Sequence, residues 1–289
     1  MIEDKVFKQI CDIGVVLENA AKYNGQPAVF YGEAASDQDE LWSKKVFPRI
    51  DYSIEWEADS ERKTAGILFV NVWCLNKGIQ PEEMVDAIKD GISNCFFSDQ
   101  SGVYCTVWNR NVPFKGERKE PVTNGITMIF DIMAFPNQRT ISPDPAYAIQ
   151  KYLKQQFNAF IILEEDSTDE IFRATFEKPV LYVRISETNG LPDRDSYAVR
   201  WKNCTINIHL FTADINCRNK ILRLIEQKIS LEGRCVLDDH SPLFIKSGKV
   251  NLNADPLKNG QITLVGEYGV LVQEPDSPTM DKIIINQEE

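Results

Sequence analysis

The chain of 289 residues has only two histidines, His209 and His240, and only His240 stands beside other groups able to do chemistry. In Leu237-Asp238-Asp239-His240-Ser241-Pro242 two carboxylates and an imidazole are consecutive, a set that could chelate a divalent ion or run acid-base chemistry. A turn rich in Asp and Ser ahead of a proline has the same composition, because short polar side chains hydrogen-bond the nearby backbone. That turn is the expectation. His209 falls on the alternate face of a strand pattern and is expected as a hydrogen-bonded surface or interface residue. Neither histidine has H-E-x-x-H or H-x-x-x-H spacing.

The seven cysteines, Cys11, Cys74, Cys95, Cys105, Cys204, Cys217 and Cys235, form no C-x-x-C pair and mostly lie in apolar segments. They read as reduced core thiols of an intracellular protein, with metal binding not expected. The chain has no G-x-S-x-G, no G-x-x-x-x-G-K-[ST] and no G-x-G-x-x-G. The expectation is therefore no enzyme, no catalytic residues, no cofactor and no metal. A metal-assisted hydrolase using Asp238, Asp239 and His240 stands as an alternative.

A net charge of -11 and a pI near 4.9 argue against tight nucleic-acid binding, which draws its affinity from Lys and Arg displacing counterions. Arg110, Lys115, Arg118 and Lys119 are the local exception. They fall in a polar stretch from Asn109 to Asn124 that Glu117 and Glu120 dilute, expected as a solvated hairpin tip and a loop facing a lumen or a partner. Hydrophobic residues at 43% and charged residues at 26% suit a soluble globular protein. No apolar run approaches the roughly 18 residues of a membrane span. The acidic start Met1-Ile2-Glu3-Asp4-Lys5 does not fit a signal peptide.

The elements that would position these residues are written twice. Met84, Val85, Ile88 and Ile92 share one buried helical face, and Ile221, Leu222, Ile225 and Ile229 repeat that spacing 137 positions on (221 minus 84). Upstream, Leu68, Val70 and Val72 alternate as a half-buried strand, and Ile206, Ile208 and Leu210 are matched to them. Downstream, Asn124-Gly125-Ile126-Thr127-Met128-Ile129 is echoed by Asn259-Gly260-Gln261-Ile262-Thr263-Leu264-Val265. The fold class read from this is α/β (α+β): two tandem modules, each a mostly antiparallel twisted sheet with helices packed on one face. Module one spans residues 1–139. Module two spans 140–289, with a C-terminal tail from about 273.

In chain order, a helix is expected over residues 3–22, ended by Tyr23-Asn24-Gly25, then strands at 28–31, 47–56 and 66–73. Trp42, Phe47, Tyr52 and Trp56 read as core or subunit-interface residues. Pro81-Glu82-Glu83 opens a helix to about Asn94, since proline and acidic groups suit its first turn. Strands at 103–108 and 125–135 close module one, and Asn137 to Pro145 is the linker. Module two runs through a helix from Pro145, a strand at 160–163, a strand at 179–184 likened to 27–31, a hydrophilic loop at 186–200, and a strand at 201–211. It ends with a helix at 216–231 closed by Gly233, a short strand at 235–237, a long irregular stretch at 238–257 and a strand at 261–272.

With the elements in this order, the chain resembles the ring-forming tail-terminator and tail-completion proteins of tailed bacteriophages, of the lambda type. The similarity lies in a leading helix, a strand meander, one helix on the sheet and closing strands. Phe47-Pro48-Arg49-Ile50-Asp51-Tyr52, Thr64-Ala65-Gly66-Ile67-Leu68-Phe69-Val70 and Gly125-Ile126-Thr127-Met128-Ile129-Phe130-Asp131-Ile132 carry it. The resemblance implies a structural virion protein, assembled in the bacterial host cytoplasm, that caps the tail tube and joins it to the neck or head-completion proteins. It implies a self-associating ring, either a hexamer or a trimeric pseudo-hexamer, with a sheath contact and DNA passing through without tight binding. Another neck, tail-tube or injection-machine component, such as a head-tail connector, is the second reading. The duplication is a departure, because members of the family are usually single modules.

Overall fold

The structure, a computed structural model, describes residues 2–57, 64–99, 102–116, 122–136, 141–163, 166 and 171–272. The chain begins with α1 (Ile2–Cys11) and α2 (Gly14–Asn19), followed by β1 (Lys22–Tyr23), β2 (Gln26–Pro27), β3 (Val29–Tyr31), β4 (Arg49–Trp56) and β5 (Thr64–Leu75). Next come α3 (Pro81–Ile92), β6 (Cys95–Asp99), β7 (Gly102–Lys115) and β8 (Thr123–Phe135). The second half holds α4 (Pro145–Gln156), β9 (Ile161–Ile162), β10 (Phe172–Arg173), β11 (Val180–Gly190), β12 (Val199–Phe211), α5 (Ile215–Glu232), β13 (Arg234–Val236), β14 (Pro242–Val250) and β15 (Ile262–Leu271). The protein is thus mixed α+β.

Two large sheets result. One has the order β10-β6-β7-β8-β5-β4-β3, the other β13-β14-β15-β12-β11-β9. Without β10, which comes from the second half of the chain, the orders match strand for strand. Directions match as well: β3 on β4 and β9 on β11 are parallel, and every other equivalent pair is antiparallel.

The match extends to single residues. Asn71 lies opposite Thr127 and accepts its hydroxyl at 2.6 Å; Asn207 lies opposite Thr263 and accepts its hydroxyl at 3.1 Å. A Cβ on Gly125 would meet the Val72 carbonyl oxygen at 2.4 Å, and one on Gly260 would meet the Ile208 carbonyl oxygen at 3.0 Å. The repeated Asn-Gly is therefore a place where one strand's backbone crowds its neighbour and no side chain fits. Each sheet also carries a bulge at the same place, at Asn109 between Trp108 and Arg110 and at Lys246 between Ile245 and Ser247.

These pairings correct the strand alignment. Asn207 minus Asn71 and Thr263 minus Thr127 both give 136. Val70, Val72 and Cys74 thus correspond to Ile206, Ile208 and Leu210, two residues away from the expected match. The counterpart of β3 is β9, not the strand at 179–184; that strand, β11, corresponds to β4.

Each sheet buries one face under helices. Met84, Val85, Ile88 and Ile92 of α3 and Ile2, Val6 and Ile10 of α1 pack on Ile50, Leu68, Val70, Val72, Met128 and Phe130. Ile149 and Leu153 of α4 and Leu222, Ile225 and Ile229 of α5 pack on Leu181, Val183, Ile206, Ile208 and Leu264. The repeated helical face is accordingly the core-facing one in both halves. At about 25 cal/mol per Å² of apolar surface, a fully buried Ile or Leu contributes about 1.5–3 kcal/mol. Gln80 and Glu83 form a capping box at the start of α3, Asp144 caps α4 and Asp214 caps α5. α3 then turns into β6 through the left-handed Asn94, φ 57°, and α5 into β13 through Gly233, φ 66°.

A third apolar cluster lies where the two sheets meet. Phe96, Val103, Cys105, Met133 and Phe135 pack against Leu163, Val180, Tyr182 and Phe211, and the Tyr182 hydroxyl donates to the Pro136 carbonyl at 2.8 Å. The strand β10 pairs with β6, so chain from the second half extends the first sheet.

Several expectations needed correction. The 3–22 helix is two helices, because Ile13 is extended (φ -69°, ψ 122°); its side chain occupies the space that a Cβ on Gly91 of α3 would need. Tyr23-Asn24-Gly25 is the tip of the β1–β2 hairpin, with Asn24 and Gly25 both at positive φ. The residues after α3 form β6. The 186–200 loop is shortened at both ends by β11 and β12, and the 238–257 stretch contains β14. The linker residues 137–140 and the tail from 273 lie outside the described residues.

Candidate functional site

The Asp238-Asp239-His240 run is a turn. Asp238 accepts from the Ser142 hydroxyl at 2.7 Å and from the Asp144 amide at 3.1 Å, tying the start of α4 to the β13–β14 connection. Burial, the largest single influence, raises the Asp238 carboxyl, but the hydrogen bonds from Ser142 and from the Asp144, Asp238 and Asp239 backbone together outweigh it and hold the group below its ordinary value. Asp239 accepts from the amide and hydroxyl of Ser241. His240 occupies the left-handed turn position, with φ 66°. Both carboxylates are committed to backbone and hydroxyl donors, and the run builds a corner of the fold.

His209 is buried, with Nδ1 2.6 Å from the Pro256 carbonyl oxygen and its ring 5.5 Å from that of Tyr182, beside the seam between the sheets. It is hydrogen-bonded, as expected, but inside the chain and not on its surface. All seven cysteines are free thiols, six of them buried and Cys11 half-buried. Burial pushes the Cys11, Cys74 and Cys235 thiols up to about 11 and Cys204 to about 12, and it raises Cys105 further. None resembles an activated nucleophile, which needs a lowered pKa. Among the described residues no three His, Cys, Asp or Glu side chains group so as to hold a metal ion. Among the same residues no helix is long and apolar enough to cross a membrane.

The expected basic loop is a strand over much of its length. Arg110 and Lys115 lie on β7, whose pairing with β8 runs to Lys115 opposite Asn124; Arg118 and Lys119 lie outside the described residues. The aromatic residues divide between roles. Phe47 and Tyr52 are buried, and Tyr52 donates to the Glu3 carbonyl at 2.8 Å. Trp42 is half-buried against Tyr23 and Phe30, and Trp56 is 44% exposed, with its ring 5.6 Å from Tyr104.

The feature with clearest functional content is repeated in both sheets. The short strand β6 covers β7 only from Gly102 to Thr106, and β13 covers β14 only from Pro242 to Phe244. The next outward donor is then tied back to the helix exit, Trp108 N to Ser93 Oγ at 3.3 Å and Ile245 N to the Gly233 carbonyl at 2.9 Å. From there the outer edges of both strands run free of any other described strand. Asn109 to Pro113 are all exposed, and so are Lys246 to Lys249. Both free stretches are basic, with Arg110 and Lys115 on one and Lys246 and Lys249 on the other, in a chain of net charge -11. A free strand edge offers a row of unpaired N–H and C=O groups to another chain. Its existence could not be read from periodicity, since these residues meet solvent on both faces.

No protein-family model matches the chain, and no curated protein matches it either.

Proposed function

We propose that the protein is a structural component of a bacteriophage particle, a tail-terminator-type protein that self-associates into a ring on the end of the tail tube. One observation carries this reading: two sheets with the same strand order leave the same edge strand uncovered at the same place, and both free edges are basic. Head-to-tail contacts that use one repeated surface close into rings when the rotation permits. Opposite charge favours seating the basic edge of one copy on the acidic remainder of the next. Such rows form where Glu82, Glu83, Asp86 and Asp90 line α3.

In this reading a chain with two equivalent edges supplies two quasi-equivalent ring positions, and three chains complete a six-part ring. Tail tube protein meets one ring face and a neck or head-completion protein the other. An acidic ring lets DNA pass without retaining it. The chain then resides in the virion.

The test is the mass and image of the purified protein. Mass photometry across a concentration series, with negative-stain images, is expected to show a closed ring with a central hole. Val112, 41% exposed on the free edge, gives the matched variant. Val112→Asp is expected to leave the folded chain within about 0.5 kcal/mol of the parent and to abolish the ring. A monomer at every concentration contradicts the reading.

A further inference from the structure

Independently of assembly, the seam between the two halves contains a cleft of about 470 Å³. Its polar rim is formed by Ser93 and Asn94 just after α3, Arg173 of β10, Thr175, Thr212 and Arg218 in the first turn of α5. The floor is apolar, with Phe96, Cys105 and Phe211 from the shared cluster.

Two properties set this cleft apart. Among the described residues no carboxylate lines it, although the chain has 43 acidic residues against 32 basic ones. Among the same residues neither arginine forms an ion pair. Arg173 Nε donates only to the Cys95 thiol sulfur, at 3.1 Å, and Arg218 Nε is shielded from solvent with no hydrogen-bond partner. A buried guanidinium nitrogen without an acceptor is costly, and a bound acceptor returns that cost. The α5 N-terminus is already capped by Asp214, so the guanidinium groups, and not the helix end, make the site.

We infer that this cleft is a binding site for a small phosphate-type oxyanion, held between Arg173 and Arg218 with the hydroxyls of Ser93 and Thr175 as further donors. Guanidinium groups donate parallel pairs of hydrogen bonds to tetrahedral oxyanions, which a lysine cannot do. The volume admits a phosphomonoester as well as free phosphate. Ser93 and Asn94 belong to the first half of the chain and Arg218 to the second, so an occupant bridges the halves and stabilises their seam.

The test uses the full chain. Thermal unfolding is followed with inorganic phosphate, with ethyl phosphate, and with chloride at equal ionic strength. Both phosphate species are expected to raise the Tm by several degrees over chloride, in a saturable manner, because a ligand that binds only the folded chain stabilises it by mass action. Equal action by both assigns the site to any phosphate group, and a larger shift with ethyl phosphate assigns it to monoesters. Arg218→Gln and the exposed Arg173→Gln are each expected to weaken the apparent affinity at least tenfold. Circular dichroism checks that each variant is folded, and Arg173→Gln carries the test if Arg218→Gln does not fold. Equal Tm in phosphate and chloride overturns the inference. So does an undiminished phosphate shift in a folded arginine variant, or binding of a DNA oligonucleotide without binding of either small anion.

Discussion

The two sheets share strand order, bulge, Asn–Thr pair and crowded glycine, yet they differ where they meet other parts of the chain. The first sheet's outer strand β6 is covered by β10, whereas among the described residues the equivalent β13 has no strand beyond it. At the position opposite the shared asparagine, the first sheet has Asp51 and the second Arg184. Asp51 accepts from Asn71 at 2.6 Å and from Trp73 at 2.5 Å, while Arg184 Nε is buried without a partner. What stayed alike is what backbone geometry demands; what diverged lies on the sheet faces away from the helices and on outer edges. Duplication thus preserves the packing unit and frees the surface.

If the halves are the same unit, equivalent core positions must fail alike. Ile88→Ala and Ile225→Ala, both at fully buried sites, are each expected to cost about 2–5 kcal/mol, read from urea unfolding. A loss below 1 kcal/mol in one and not the other would break the equivalence. The crowded glycines sharpen it. Gly125→Ala, whose new Cβ meets backbone and the Phe114 ring within 2.4 Å, is expected to cost about 1–3 kcal/mol. Gly260→Ala, with nearest contacts of 2.9–3.0 Å, should cost less.

At the seam, Tyr182→Phe removes the hydroxyl bond to Pro136 and is expected to cost about 1 kcal/mol. Its effect should appear as a shift of one cooperative transition, since the shared cluster joins both sheets. Two resolved transitions in calorimetry would show halves that unfold separately.

The smallest effect concerns Asp51. Burial raises its carboxyl above 3.8, opposed by the hydrogen bonds from Asn71 and Trp73 and by the Arg49 charge. A raised folded pKa means the contribution is complete below the unfolded value and is lost as pH rises through the folded one. Asp51→Asn should therefore flatten the acid-side pH dependence of stability, with the parent losing ground to the variant as pH rises above about 4. A Gln or Asn at position 184 has no such titration and should leave that profile unchanged.

Much of the fold was legible where apolar periodicity is strong. The α3 and α5 faces, the β5 and β12 alternations and the repeated Asn-Gly all read correctly. The two-residue error in the strand match has a simple origin: an alternating pattern looks the same after a slip of two, and only the Asn71–Thr127 and Asn207–Thr263 bonds fix the register. Strand β10 was missed because two residues carry no period, whereas β9 fell within the strand expected at 160–163 and β13 lay one residue ahead of the one expected at 235–237. The outer half of β7 and the whole of β14 were missed because most of their residues meet solvent. Arg173 and Arg218 stand 45 positions apart (218 minus 173) and share no motif; only the folding of β10 onto β6 brings them to one cleft.

The most direct measurement is a negative-stain class average of the purified protein with its mass from mass photometry. A closed, hollow ring built from three or six chains, lost in Val112→Asp, is the predicted result. A particle of one chain at all concentrations, with the free edges of β7 and β14 left open in solution, would contradict the account.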